Sequence, residues 1–189
     1  MDATELFKGI GDAKASYGAE YERVGHYIQR LDRLKAGENR AKEGFLAIEK
    51  TVLYVYPDTL QRWENEGKPQ DFRPHVAGDE ISHLLMRKHD SFLANVKGFF
   101  ARVLGCPEEE VTLDACAAAC DEEQPMAGYL VEVRSRNQIT RKNTNFTKID
   151  YVRAVPPSEL KELLPADEIA RLFPNGSFEE LLKIEAAAA

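Results

Sequence analysis

The strongest pattern in this chain is a single amphipathic helix set between segments that alternate like β-strands. Apolar residues recur at helical spacing across residues 92–104. Asp90 is the expected N-cap of this helix, and Gly105 stands where a left-handed residue commonly ends one. Its phenylalanines follow the apolar stripe, which is typical of a helix that packs into a core. One such helix among β-runs indicates a mainly β fold.

The clearest strand covers residues 45–56, where Leu46, Ile48 and Val52 share one parity and Ala47 and Glu49 share the other. Glycines and an asparagine in residues 35–44 predict a turn before it. Weaker patterns predict four further strands, over residues 24–35, 81–86, 126–134 and 146–155.

The predicted order is strand, strand, strand, helix, strand, strand. This is the element order of the oligonucleotide/oligosaccharide-binding (OB) fold, a five-stranded barrel with its helix between strands three and four. We therefore expect an OB-type barrel over residues 21–157. A flexible N-terminal arm, residues 1–20, and a short helical C-terminal tail, residues 158–189, complete the predicted organisation.

Size and composition predict a globular cytoplasmic protein. The chain has 189 residues, of which 43% are hydrophobic and 30% charged, and it contains no run long enough to span a membrane and no signal-peptide core. Its odd number of cysteines argues against a disulfide framework. Cys116 and Cys120 are four apart, but a zinc site would need two further ligands, so we expect buried thiols, no metal and no cofactor.

Basic residues are concentrated in two segments of an otherwise acidic chain. Residues 134–153 carry six cations against the single carboxylate of Asp150, although the whole chain has a net charge of −7. Residues 23–42 carry six cations against two carboxylates. In an OB barrel these segments supply the loops between strands 1 and 2 and between strands 4 and 5, which border the ligand groove. This coincidence predicts a single-stranded nucleic-acid surface; a merely solvated hairpin is the alternative.

The predicted contacts follow from side-chain chemistry. Cations neutralise phosphates, and aromatic rings in the same segments can stack on bases, although rings in strands commonly fill the core instead. The predicted phosphate ligands are Arg33, Lys35, Arg40, Lys42, Arg134, Arg136, Arg141, Lys142 and Lys148. The predicted stacking residues are Tyr27, Phe45, Phe146 and Tyr151.

Several stretches resemble small phage single-stranded DNA-binding proteins with an OB fold, a family long catalogued as of unknown function. They are GHYIQRLDRLKAGENRAKEGFLAIEKTVL, ANVKGFFARVLGCPEEEV, QPMAGYLVEV and NTNFTKIDY, which together cover about residues 24–155. The resemblance implies DNA binding without sequence specificity, which protects or presents single strands during phage DNA replication or recombination, in the host cytoplasm.

Two other classes of function remain open at this level. An enzyme is not expected, because the sequence has no HEXXH, P-loop or GxSxG motif. A protein-interaction or virion structural module could use the same barrel without binding nucleic acid. The acidic C-terminal helices are the expected surface for replication or recombination proteins, no membrane partner is expected, and homo-oligomerisation is left open. Trp63 is predicted either to stack on a base or to pin its own loop.

Overall fold

The computed structural model describes residues 20–69, 73–139 and 145–188. Its strands are β1 (Glu20–Tyr21), β2 (Gly25–Glu38), β3 (Gly44–Val55), β4 (Glu80–Met86), β5 (Leu130–Ile139) and β6 (Asn145–Ala154). Its α-helices are α1 (Pro57–Asn65), α2 (Phe92–Leu104), α3 (Leu113–Ala118), α4 (Pro157–Leu163), α5 (Ala166–Leu172) and α6 (Ser177–Ala188). The five long strands and α2 follow the predicted order.

The strands form one sheet in the order β1-β4-β3-β2-β5-β6. The five long strands pair antiparallel, and the two-residue β1 lies parallel to β4. Among the described residues no ladder joins β4 to β6, so the sheet is open. The predicted mainly β fold is confirmed, whereas the predicted barrel is not closed.

The main core lies on one face of the sheet, where α2 packs. Leu31, Leu34 and Ile48 of the sheet belong to one buried cluster with Phe99 and Phe100 of the helix. The helix ends at Gly105, which has a left-handed φ of 64°. Its N-cap is Ser91, one residue later than predicted, and Ser91 makes no side-chain capping bond. The single strong helical pattern in the sequence therefore supplies one wall of the core.

The C-terminal helices pack on the opposite face of the same sheet. Ile28 and Leu130 form a second buried cluster with Leu160, Leu172 and Phe173. The residue that follows Leu130, Val131, belongs to the main core, because successive side chains of a strand point to opposite faces. The predicted tail is thus an integral layer of the fold. No helix in the described ranges combines the length and apolar character needed to cross a bilayer.

Candidate nucleic-acid interface

The outer face of β2, β3 and β4 carries a small array of side chains whose register is fixed by the ladders. The flanking residues Leu34, Leu46 and Ile48 are buried in the core, so the residues of opposite parity face outward. The array has three rows across the strands: Arg33, Glu49 and Ser82; Lys35, Ala47 and Leu84; Gly37, Phe45 and Met86.

Phe45 lies across Gly37 in the outermost row. A Cβ placed on Gly37 would come within 3.2 Å of the Phe45 ring carbon Cζ, so the bare backbone of this glycine makes room for the ring. Phe45 is half-buried, and Leu84 in the next row is 41% exposed. The face therefore presents an apolar, partly aromatic patch beside its cations.

The cationic side chains of this face and its turn form no ion pair with any described residue. Arg33, Lys35, Arg40 and Lys42 are exposed, and none of their side chains forms a salt bridge or hydrogen bond within the described part of the chain. Glu49 lies directly opposite Arg33 in the ladder and is the carboxylate of the array. Four solvated cations around one patch give a locally positive surface in a chain whose net charge is −7.

The turn between β2 and β3 holds two of these cations in place through Asn39. Its Oδ1 accepts hydrogen bonds from the backbone N–H groups of Ala41 (2.9 Å) and Glu43 (3.0 Å). Lys42 adopts a left-handed φ of 59°. The side chains of Asn39 and Lys88 bond to Glu43 and lower its pKa. The predicted turn is thus fixed by its own asparagine, which is a common use of this residue.

The second basic segment is largely neutralised by carboxylates. Arg136 and Lys148 both pair with Asp150, at 3.4 Å and 3.1 Å. Arg134 lies 3.5 Å from Glu132, a buried carboxylate that also binds Arg153 at 2.8 Å. The sequence segment with the highest local charge is therefore less available to phosphates than β2 and its turn. Arg141 and Lys142 lie outside the described residues.

The ladders place the two basic loops at opposite ends of β2. Gly25, at its start, pairs with Ser135 near the β5–β6 connection. Glu38, at its end, pairs with Gly44 across the β2–β3 turn. The predicted convergence of both loops on one groove therefore does not follow from the strand pairing. The candidate interface comprises the outer face of β2–β4 and the β2–β3 turn.

The four predicted stacking rings fall into two classes. Tyr27 is fully buried and its hydroxyl donates to the Val24 carbonyl at 3.0 Å, so its ring cannot stack on a base; burial also raises the pKa of this phenol. Tyr151 packs edge-on against Phe99, with 4.7 Å between the ring centroids. Phe45 and Phe146 remain accessible, and Phe146 is 44% exposed.

Of the two predicted roles of Trp63, its contacts fit the one in which it pins its own loop. Its indole Nε1–H donates to the Pro69 carbonyl at 3.1 Å, and the Lys68 ammonium lies 5.8 Å from the ring centroid.

Cys106, Cys116 and Cys120 are free thiols, and burial raises the pKa of the latter two. Within the described ranges no three His, Cys, Asp or Glu side chains are grouped as metal ligands would be.

Sequence reasoning missed the contribution of β1 and β4 to this surface. Tyr21 pairs with Ser82 in the parallel ladder and is 73% exposed. A two-residue strand has no periodicity to detect, and the weak alternation over residues 81–86 did not show that Leu84 faces outward. A scan against protein-family models and a search of curated proteins both match nothing to this chain.

Proposed function

We propose that this protein binds single-stranded DNA without sequence specificity, through the outer face of β2–β4 and the β2–β3 turn. The observation that carries the proposal is a set of four exposed cations whose side chains form no ion pair with any described residue, on the face and turn that also carry the Phe45 ring. Cations that contact phosphates release condensed counterions, which supplies affinity for any sequence. An accessible ring stacks on any base, because every base has a π-face.

A single strand fits this surface better than a duplex. Stacking on Phe45 requires a base whose face is uncovered, and bases in a duplex are already covered by their neighbours. The array offers no cluster of amide or guanidinium groups placed for bidentate recognition of one base pair, which is the usual basis of sequence-specific readout. The proposed binding is therefore to the backbone and to base faces.

The strand order supports an OB-type origin for the fold. Counting only the five long strands, the order is third, second, first, fourth, fifth, so closing the barrel would require β4 and β6 to meet. Their side chains already do: His83 of β4 lies 3.0 Å from the hydroxyl of Tyr151 of β6. We propose that the sheet is a partly open OB barrel, a class whose strand 2–3 face binds single strands. Here that face is β3 and β4.

The biological setting that we propose is phage DNA replication or recombination, where such a protein would protect single strands or present them to other enzymes. This rests on the resemblance of the strand and helix motifs given above. The alternative, a protein-interaction or virion module with the same fold, makes the opposite prediction for DNA and is tested by the same experiment.

Fluorescence anisotropy with labelled oligo(dT) and a duplex of equal length, each at two or more salt concentrations, tests the proposal. The protein should prefer the single strand, with log affinity falling against log salt at a slope of about −3 for four neutralised phosphates. The double variant Arg33→Gln with Lys35→Gln should make this slope shallower by about 1.4. A salt-independent affinity, or no detectable binding, would favour the interaction module.

The matched control removes two cations of the same kind from elsewhere. Lys161 of α4 and Lys183 of α6 are exposed and form no ion pair within the described chain. Their double substitution by Gln changes the net charge equally but leaves the candidate face intact. An equal loss of affinity in both double variants would show that DNA responds only to net charge, and would overturn the proposed site.

A further inference from the structure

A large cleft opens between β6 and the strand β4 with its short partner β1, next to the candidate interface. It has a volume of about 1370 Å³, lies between β4 and β6, and has α2 along one side. Leu84 lines the cleft and also belongs to the outer array, so the two surfaces are continuous. Small-molecule sites typically measure about 300–1,000 Å³. An open cleft above that range suits a segment of a polymer.

Two accessible aromatic rings stand on the two walls of this cleft. Tyr21 lies on the β4 side and is 73% exposed, and Phe146 lies on β6 and is 44% exposed. The cleft is also lined by Asn95 and Gln138, which carry side-chain amides. Rings and amides are groups that contact nucleobases.

Tyr21 is held at its wall by a buried anchor. The next residue, Glu22, is 5% exposed, and its carboxylate lies 2.6 Å from the Nζ of Lys50 on β3. Tyr21 itself is held by its backbone pairing with Ser82 of β4. The backbone of Tyr21 is therefore held both by its own pairing with Ser82 and by the buried side chain of Glu22. This restricts the positions that the exposed Tyr21 ring can take.

The charges of the cleft favour bases over phosphates. Arg102 and Lys148 line it, but so do Asp90, Glu108 and Asp150. A phosphate would gain little there, whereas the adjoining outer face carries cations whose side chains form no ion pair within the described ranges. We infer that the bound single strand turns its bases into the β4–β6 cleft, between Tyr21 and Phe146, and keeps its phosphates along Arg33, Lys35 and the β2–β3 turn. This inference rests on the proposed function and adds to the same site a second base-binding part besides Phe45.

An abasic oligonucleotide separates base contacts from phosphate contacts, because it keeps the backbone charge but has no rings. The affinities of the full chain for oligo(dT) and for an abasic oligomer of equal length are compared across four variants. These are Tyr21→Ala, Phe146→Ala, Tyr21→Phe and the control Tyr129→Ala, which removes a tyrosine that is 43% exposed and does not line the cleft.

Loss of a stacking ring should weaken oligo(dT) binding roughly 5- to 150-fold for Tyr21→Ala and for Phe146→Ala. Tyr21→Phe and Tyr129→Ala should leave it unchanged, and no variant should alter abasic binding. Unchanged oligo(dT) affinity in both alanine variants would overturn the inference while the proposed function stands. An equal loss on the abasic oligomer would also overturn it. If the wild-type chain fails to bind oligo(dT), the proposed function itself is wrong. Binding of an extended peptide in the cleft is then the hypothesis to test.

Discussion

Lys50 and Glu22 form a fully buried ion pair that joins the strand β3 to the start of the described chain. The Lys50 Nζ lies 2.6 Å from one Glu22 carboxylate oxygen, and the Gln29 side-chain amide donates to the other at 2.6 Å. Neither side chain of the pair is more than 1% exposed. Burial lowers the pKa of Lys50, and the Glu22 carboxylate opposes that shift. Each charge is therefore tolerated only because the other is present.

Breaking this pair from one side should destabilise the protein strongly. Glu22→Gln would leave the Lys50 ammonium buried without a counter-charge, and we expect the free energy of unfolding to fall by about 3–5 kcal/mol. The double variant with Lys50→Met removes both charges and should lose much less. Urea denaturation of the two variants measures the difference. Glu64→Gln, which breaks the exposed pair with Lys68, is the control and should cost about 1 kcal/mol or less.

His83 should make the fold sensitive to mild acid. Burial, with a smaller contribution from Lys50, lowers the pKa of His83 from 6.5 to about 3. The unfolded chain therefore binds a proton on this ring between these pH values and the folded chain does not, so stability falls as the pH falls. From pH 6.5 to pH 5 the loss from this residue should be about 1.5 kcal/mol.

Urea unfolding at pH 6.5 and pH 5 tests this, with His83→Gln as the comparison. The variant should lose about 1.5 kcal/mol less than the wild type over this interval. Burial also lowers the pKa of His75, so a smaller acid effect should persist in the variant. The pKa values of Glu43, Glu159 and Glu168 are lowered, so the interval from pH 6.5 to pH 5 lies above the pH range in which these groups titrate in the folded protein. Equal losses in the two proteins would contradict the assignment.

Removing the C-terminal helices should unfold the sheet rather than release a separate tail. A chain ending after Val155 would expose Ile28 and Leu130, which are 0% and 4% exposed, together with Val155 itself. Each such side chain brought back into water costs about 1.5–3 kcal/mol. We expect the truncated chain to have no cooperative thermal transition by circular dichroism. A folded truncated domain with unchanged DNA affinity would contradict this and would support an independent helical tail.

The long strands and the central helix were predictable because each carries enough residues to show a period. Residues 45–56 alternate over the whole of β3, and residues 92–104 repeat over the whole of α2. What could not be predicted depends on breaks in that period. The register of β2 against β3 shifts between Leu31 and Arg33. The alternation of buried and exposed residues in one half of β2 therefore does not predict which residues are buried in the other half. Tyr27, which was predicted as a stacking residue, is buried with Val52 and Ile81 instead.

The sequence also did not predict which cations are paired with carboxylates in the folded protein. Counting charges along residues 134–153 found only Asp150 against the cations, whereas the folded sheet brings Glu132 and Glu159 to the same guanidinium of Arg153. Both carboxylates lie outside the counted window, one on each side. The free cations of β2 and its turn could be recognised as free only once their neighbours across the sheet were known.

The same contrast between paired and free cations gives a final prediction. Arg136 and Lys148 share Asp150, so the three side chains together carry one net positive charge. A phosphate that approaches them must compete with a carboxylate already in place, which reduces the counterion release that it can gain. The double variant Arg136→Gln with Lys148→Gln should therefore change the salt slope for oligo(dT) by less than half of the change produced by Arg33→Gln with Lys35→Gln. Anisotropy titrations of both variants over the same salt series measure the two slopes. A larger change from the Arg136 and Lys148 pair would place the DNA on the β5–β6 hairpin instead of the β2–β4 face.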